Sequence, residues 1–350
     1  MYLHSLATAL PPAKFTQADC WDMFERSDTR QRLSRRSALI LRAILRDGSG
    51  ISTRHFAMPD LERVFSLTAD ELNEGFRLEA PRLASRALTS ALMRAGLVAG
   101  QVDALLICTC TGYLCPGVTS YVAEQLGLRS DVFLQDLVGL GCGAAVPCLR
   151  AANAILAAQP SAIVACVAVE ICSAAFFLDD DPGVLVSACL FGDGAAATIW
   201  RGVPGPSGLR CGNFTTVHQP ENRDRIRFEM RQGKLRNLLD ASVPGLAAAA
   251  VEQLLSAERT RPGSRPVTRI ISHVGGREVL DAIAQACGPC DLSASRAILR
   301  ECGNMSSPSV LFALERALHE GTPDGTGDWW LTSFGAGFAV QGCRIGLGRP

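Results

Sequence analysis

Leu190-Phe191-Gly192-Asp193-Gly194-Ala195 returns late in the chain as Ser333-Phe334-Gly335-Ala336-Gly337-Phe338, and this echo decides how the fold is read. Two more echoes accompany it. Gly141-Cys142 leads into a helical stretch, as Gly303-Asn304 does, with Leu149 and Leu156 answered by Leu311 and Leu318. An apolar strand at 104–108 ending in a Thr-Gly loop is answered by 269–272, which ends in His273-Val274-Gly275-Gly276. Three echoes in one chain argue for an internal duplication. Between them, strands expected at 104–108, 131–134, 162–169 and 195–200 alternate with helices starting near Val118 and Cys142, the pattern of an α/β fold with buried sheet strands. Helices are also expected at 32–46 and 61–95, the second stopped by Gly96, with a short extended piece at 51–58 between them. The run from Pro204 to Gly208, with two Pro and two Gly, marks the boundary between halves 1–203 and 204–350.

The composition narrows the function. Lys+Arg 34 against Asp+Glu 34 leaves no net charge on 350 residues, whereas a general nucleic-acid binder carries a basic excess. Hydrophobic residues make up 48%, enough for a sizeable core. The 14 cysteines sit mostly inside apolar runs, which suits buried thiols in a reducing compartment better than a disulfide framework. No secretory leader is read at the N-terminus. The longest apolar stretch, 162–178, is interrupted by Glu170 and Ser173, and a bilayer span needs about 20 apolar residues. A cytoplasmic protein without membrane or nucleic-acid partners is expected.

Cys142, in Val138-Gly139-Leu140-Gly141-Cys142-Gly143-Ala144-Ala145, is the sharpest candidate for chemistry. Its glycines allow a tight turn, and a helix start behind it would favour the thiolate. His273 ends an apolar strand beside two glycines, and Asn304 precedes a helix at 307–318. On their own these two read as a structural histidine and a helix cap. Together the three supply a nucleophile, an acid/base and an amide donor, a set suited to acyl transfer with a stabilised oxyanion or enolate. A Cys142 thiol lowered below about 8.5 and titrating with His273 is expected from this placement.

With those motifs in view, the sequence resembles bacterial-type type III polyketide synthases, the chalcone synthase-like group of the thiolase fold. The resemblance runs over nearly the whole chain and rests on the Gly-Cys-Gly turn, Leu190–Ala197, His273–Gly276 and Cys302-Gly303-Asn304-Met305-Ser306-Ser307. It implies a five-layered αβαβα body of two α/β halves, with Cys142, His273 and Asn304 as catalytic triad and Phe191 as gatekeeper between a CoA tunnel and the initiation cavity. It further implies substrate contacts at Cys110, Thr111, Gly275, Phe334, Gly335 and Gly337, with Cys115 reaching toward a partner subunit in a homodimer. Arg54, with Arg42 and Arg46, would contact CoA phosphates. The implied acyltransferase holds an acyl-CoA starter as a Cys142 thioester, extends it iteratively by decarboxylative condensation with malonyl-CoA, and cyclises the chain to a pyrone or phenolic polyketide. No cofactor beyond the CoA thioester substrates is implied. The family's Gly-Phe-Gly-Pro-Gly loop stands here as Ser333-Phe334-Gly335-Ala336-Gly337. No aromatic occupies Arg236–Leu238, where a second gatekeeper is expected; either Phe228 substitutes for it or the cavity is more open.

Rival readings differ in class. A β-ketoacyl-carrier-protein synthase of the same fold would perform one condensation, but Gly-Asn-Met-Ser-Ser and His-Val-Gly-Gly favour the CoA-using group. Gly139-x-Gly141-x-x-Ala144 formally matches a dinucleotide fingerprint, with Glu170 as its distant acidic partner, and would make the protein an NAD-dependent oxidoreductase. Cys287-Gly288-Pro289-Cys290 has thioredoxin-type spacing but reads as a helix stop with incidental cysteines. Cys108-x-Cys110 with Cys115 lacks a second pair for zinc. Asp179-Asp180-Asp181 reads as a solvated turn.

Overall fold

The computed structural model describes residues 1–321 and 327–347. Strand β1 (Tyr2–Ala9) opens the chain, followed by β2 (Lys14–Thr16), α1 (Gln17–Arg26), α2 (Thr29–Arg32), α3 (Arg35–Asp47) and β3 (Thr53–His55). The first half continues through α4 (Ala69–Ala95), β4 (Ala104–Cys108), α5 (Val118–Leu126), β5 (Phe133–Leu137), α6 (Ala145–Ala158), β6 (Val164–Glu170), α7 (Pro182–Leu190) and β7 (Gly194–Arg201). The second runs β8 (Leu209–His218), a hairpin of β9 (Ile226–Arg231) and β10 (Lys234–Leu239), then α8 (Val243–Arg259) and β11 (Val267–Ser272). It closes with α9 (Arg277–Cys287), α10 (Ser293–Cys302), α11 (Ser309–Glu320), β12 (Asp328–Gly335) and β13 (Ala339–Leu347).

The duplication is visible in the hydrogen bonding. One half-sheet runs β5-β4-β6-β7-β1 and the other β11-β12-β13-β8. In the first, β4 and β6 pair parallel while β6–β7 and β7–β1 pair antiparallel. The second repeats this: β11–β12 parallel, then β12–β13 and β13–β8 antiparallel. The halves meet where Tyr2 of β1 pairs with Arg210 of β8.

Packing then produces the expected five layers. Helix α4 lies on β1, β6 and β7; α6 and α11 lie between the half-sheets, each touching strands of both; α8 covers β8, β12 and β13. Both faces of the central strands are therefore buried, which is why β6 reads as an unbroken apolar run. Helix α6, with the turn before it, has the length and composition of a membrane span, but more than half of it is buried between the sheets.

Some expected boundaries move for local reasons. The helix expected from 61 starts at Ala69, where Thr68 and Glu71 form a reciprocal capping box, and it ends as expected at Gly96, with φ 66°. The helix expected at 32–46 starts at Arg35, because Ser34 takes an extended conformation and caps α3, and it runs to Asp47. The edge strand β5 begins at Phe133 rather than 131. Strand β1 has no counterpart among the sequence expectations.

Candidate active site

The site lies beyond the carboxyl ends of two parallel strand pairs, β4–β6 in one half-sheet and β11–β12 in the other, where ligands collect. There the turn Gly141–Gly143, a single 3₁₀ turn ahead of α6, carries Cys142. A loop of the other half clamps it. Ser333 Oγ donates to the Gly143 carbonyl at 2.8 Å, and a Cβ on Gly335 would lie 2.5 Å from Gly143 N and 2.7 Å from the Leu140 carbonyl. At Gly141, with φ 57°, a Cβ would lie 2.9 Å from Ala336 N. Gly141 and Gly335 thus let the backbones cross at the nucleophile's turn.

Cys142, Phe191, His273, Gly275, Asn304 and Phe334 line one cavity of about 580 Å³. The structure therefore brings the three sequence-derived candidates together. His273 follows β11, its backbone N–H donating to the Thr332 carbonyl, and its ring meets Phe334 edge-on with centroids 4.9 Å apart. Burial holds the imidazole down to about 3, and Nδ1 has no hydrogen-bond partner among the described residues. Asn304 is fixed by its backbone, which bridges the Leu190–Gly192 turn through Leu190 O and Gly192 N. Its Oδ1 accepts the Ser306 N–H at 2.8 Å, which leaves the amide NH₂ as the free donor.

The Cys142 thiol departs from expectation. Burial pushes it up to about 12, and the Glu170 carboxylate opposes ionisation further, while a hydrogen bond from Ser306 works the other way. Among the described residues no cation is among these influences, and α6 begins three residues after the sulfur, so burial works against both members of the expected thiolate–imidazolium pair.

Ser306 is the residue that sequence reasoning passed over. Its hydroxyl donates to Cys142 Sγ at 3.2 Å and lies 3.1 Å from Cys110 Sγ. Its backbone is left-handed, with φ 59°, which is costly for a non-glycine residue and aims the side chain between the two sulfurs. The string Gly-Asn-Met-Ser-Ser contained the residue but not the strain. Beyond this seam lies a second cavity of about 580 Å³, lined by Cys110, Thr111, Phe76, Phe228 and Gly141 among others. The β9–β10 hairpin walls both, with Ile226 and Leu239 on the first and Phe228, Met230 and Leu235 on the second.

Glu170 underpins the seam. Fully buried, it accepts from Thr109 Oγ1, Thr111 Oγ1, the Cys110 and Thr111 backbone N–H groups, and Ser307 Oγ. A carboxylate so enclosed is unavailable to a ribose, and Gly141 is packed against Ala336, so the dinucleotide reading fails on both of its residues.

Other expectations need correction. Arg54 is buried, with Nε on Gln17 Oε1 and Nη1 on the Ala188 and Phe191 carbonyls, so it fixes the Phe191 turn rather than meeting a CoA phosphate. Gly337 meets His218 through its carbonyl and lies off both cavities. Gly335 supports the Cys142 turn by backbone proximity instead of lining the cavity. Arg42 and Arg46 are exposed on α3, whose Ala43 and Ile44 edge the first cavity. Cys115 is exposed, before a cis Pro116. The Asp179–Asp181 turn is an ion-pair hub rather than a solvated turn: Arg236 reaches Asp179 at 2.8 Å and Asp181 at 3.3 Å, Asp180 accepts from Ser34 and Ser37, and Asp181 caps α7. Phe228 lies in the second cavity and does not stand in at the first.

Residues 2–203 match the sequence family described as FAE1/Type III polyketide synthase-like protein, and residues 214–346 match chalcone and stilbene synthases, C-terminal domain. Among curated relatives, a 1,3,6,8-tetrahydroxynaphthalene synthase from Streptomyces peucetius subsp. caesius is 31% identical over 346 residues, covering 95% of this chain and 90% of its own length. A 3,5-dihydroxyphenylacetyl-CoA synthase from Streptomyces toyocaensis is 29% identical, covering 90% and 82%. The crystal structure of 1,3,6,8-tetrahydroxynaphthalene synthase from Streptomyces coelicolor A3(2), a bacterial type III polyketide synthase, superposes with a TM-score of 0.89 at 27% identity, covering 100% of each chain.

Proposed function

The chain belongs to the type III polyketide synthases, acyltransferases that condense malonyl-CoA iteratively into polyketides, and from that premise we propose how its own residues divide the work. The reading rests above all on one observation: Cys142, His273 and Asn304 line a single cavity. Cys142 attacks the acyl-CoA carbonyl. Because thiol and imidazole both start neutral, the proton leaves the sulfur for His273 as the bond forms, and CoA departs as a thiol. The starter is then held as a Cys142 thioester.

Malonyl-CoA follows into the same cavity. The free amide NH₂ of Asn304, with His273, donates to the thioester carbonyl, so that loss of carbon dioxide leaves a stabilised enolate. The enolate attacks the Cys142 thioester and expels the cysteine sulfur, which leaves a chain two carbons longer on CoA; transfer of that chain back to Cys142, with release of CoA, begins the next round. The second cavity, across the Cys110–Ser306 seam, takes the growing chain before it cyclises. The relatives' names describe a polyhydroxylated naphthalene and a dihydroxyphenyl thioester, which supports an aromatic, hydroxylated product here. No cofactor is required beyond the CoA thioesters.

The enzyme works as a cytoplasmic homodimer in this proposal. Edge strand β5 and its flank expose Phe133, Leu134 and Val138 beside the Cys142 turn, and an unpaired apolar edge is the kind of surface a second copy covers. Residues 1–203 and 204–350 are its duplicated units. The test is incubation with malonyl-CoA alone and with a panel of acyl-CoA starters, with products identified by mass. Multiply extended, cyclised products support it; a single-extension product, or turnover only with carrier-protein thioesters, rejects it.

A further inference from the structure

Cys287-Gly288-Pro289-Cys290 lies outside both cavities, between α9 and α10. The helix stops at Cys287 as the Gly-Pro pair dictates, with Gly288 at φ 73°. The surroundings of the two thiols are unequal. Cys287 is buried, and burial, with the neighbouring Cys290, pushes its thiol up to about 11. Cys290 is partly exposed, and its N–H turns back to the Gly288 carbonyl at 2.7 Å.

Arg259, in the last turn of α8, comes to this loop from a different element. Its Nη2 lies 3.0 Å from Cys290 Sγ and 3.0 Å from the Cys287 carbonyl, so one nitrogen ties the exposed sulfur to the residue bearing the buried one. Among the described residues no other cysteine sulfur accepts a hydrogen bond from an arginine. A fixed guanidinium stabilises the negative charge that a sulfur carries when it attacks, and an accessible thiol next to a second thiol is the arrangement of a redox-responsive pair.

We propose that Cys287 and Cys290 form a thiol–disulfide exchange site for low-molecular-weight disulfides, with Cys290 attacking and Cys287 resolving. Cys290, as thiolate, attacks one sulfur of the disulfide. A Cys290 mixed disulfide forms and one thiolate leaves, taking up the proton that Cys290 released. Cys287 then gives up its proton and attacks the Cys290 sulfur, expelling the second thiolate, which is protonated in turn. Two protein thiols are oxidised to one disulfide, and the small disulfide is reduced to two thiols.

The reduced, full-length protein is treated with oxidised glutathione at neutral pH, quenched in acid, alkylated and mapped by mass after trypsin. Residues 278–296 form one tryptic peptide holding both cysteines and no other. That peptide should appear unalkylated and two hydrogens lighter. Cys287→Ser should stop at one glutathione on Cys290, removable by dithiothreitol. Arg259→Gln, at an exposed position and checked for an unchanged melting temperature, should slow the Cys290 step about threefold or more. Cys290 remaining unmodified, a mixed disulfide that persists in the unmutated protein, or an Arg259→Gln rate equal to the parent's would each overturn the proposal.

Discussion

Ser306, on the second half of the chain, donates its hydroxyl to the sulfur of Cys142, on the first, across 3.2 Å. The contact joins the duplicated halves at the reacting atom and, among the described residues, is the side-chain influence that favours the thiolate. Ser306→Ala should therefore displace the pH dependence of Cys142 alkylation upward. A hydrogen bond to a charged group is worth about 1.5–3 kcal/mol, so alkylation at fixed pH should slow about tenfold or more. Ser306→Gly should do the same to the rate while relieving the left-handed backbone, and its melting temperature should exceed that of the alanine variant. Equal rates for the variants and the parent would remove Ser306 from the site.

The free Cys142 thiol should show no alkylation plateau at neutral pH. With the thiol pushed up to about 12, the iodoacetamide rate should keep rising into the alkaline range. A plateau reached below pH ~7, the signature of a thiolate–imidazolium pair, would restore the ion-pair expectation.

His273 ties stability to pH with a definite sign. Its folded value, about 3, lies below the 6.5 of an unfolded chain, so the fold favours the neutral ring. That contribution is present above pH ~6.5 and is lost as pH falls toward 3, by up to the order of 5 kcal/mol. Subtracting the stability curve of His273→Gln from that of the parent should isolate this slope. A flat difference between pH 6.5 and 3 would mean that the ring is not buried neutral.

Arg236 clasps the hairpin that walls both cavities, bonding Glu229 on β9 and Asp179 on the turn before α7, both at 2.8 Å. Arg236→Gln should cost about 1–3 kcal/mol, discounted because the carboxylates are partly exposed, and should broaden the distribution of product chain lengths. Acylation of Cys142 by starter should persist. An unchanged product profile would show that the hairpin's position does not govern extension.

How much of this was legible in the sequence follows from what each signal depends on. The Cys142 turn, the His273 strand end and the Gly303-Asn304 stop are local, and the echo between Gly192-Asp193-Gly194 and Gly335-Ala336-Gly337 marked the duplication that brings them together. Gly335 was legible as a motif, but its reason, a backbone crossing at Gly143, exists only in three dimensions. The same holds for Arg54, whose charge suggested a phosphate until burial showed its donors turned inward on Phe191. For the ionisation of Cys142, a helix start is visible in sequence, whereas the desolvation and buried Glu170 that raise the thiol are not. Strand β1 escaped because its partner β7 lies nearly two hundred residues away.

Cys142 carries the acyl chain while Asn304 stabilises the enolate, and the two half-reactions of their alanine variants separate these roles. Release of carbon dioxide from malonyl-CoA and mass-detected acylation of Cys142 by starter are measured on Cys142→Ala and Asn304→Ala. Cys142→Ala should lose acylation and keep decarboxylation. Asn304→Ala should keep acylation and lose decarboxylation by about two orders of magnitude or more, the usual cost of one oxyanion donor. Equal loss of both half-reactions in both variants would show that the two residues do not divide the work.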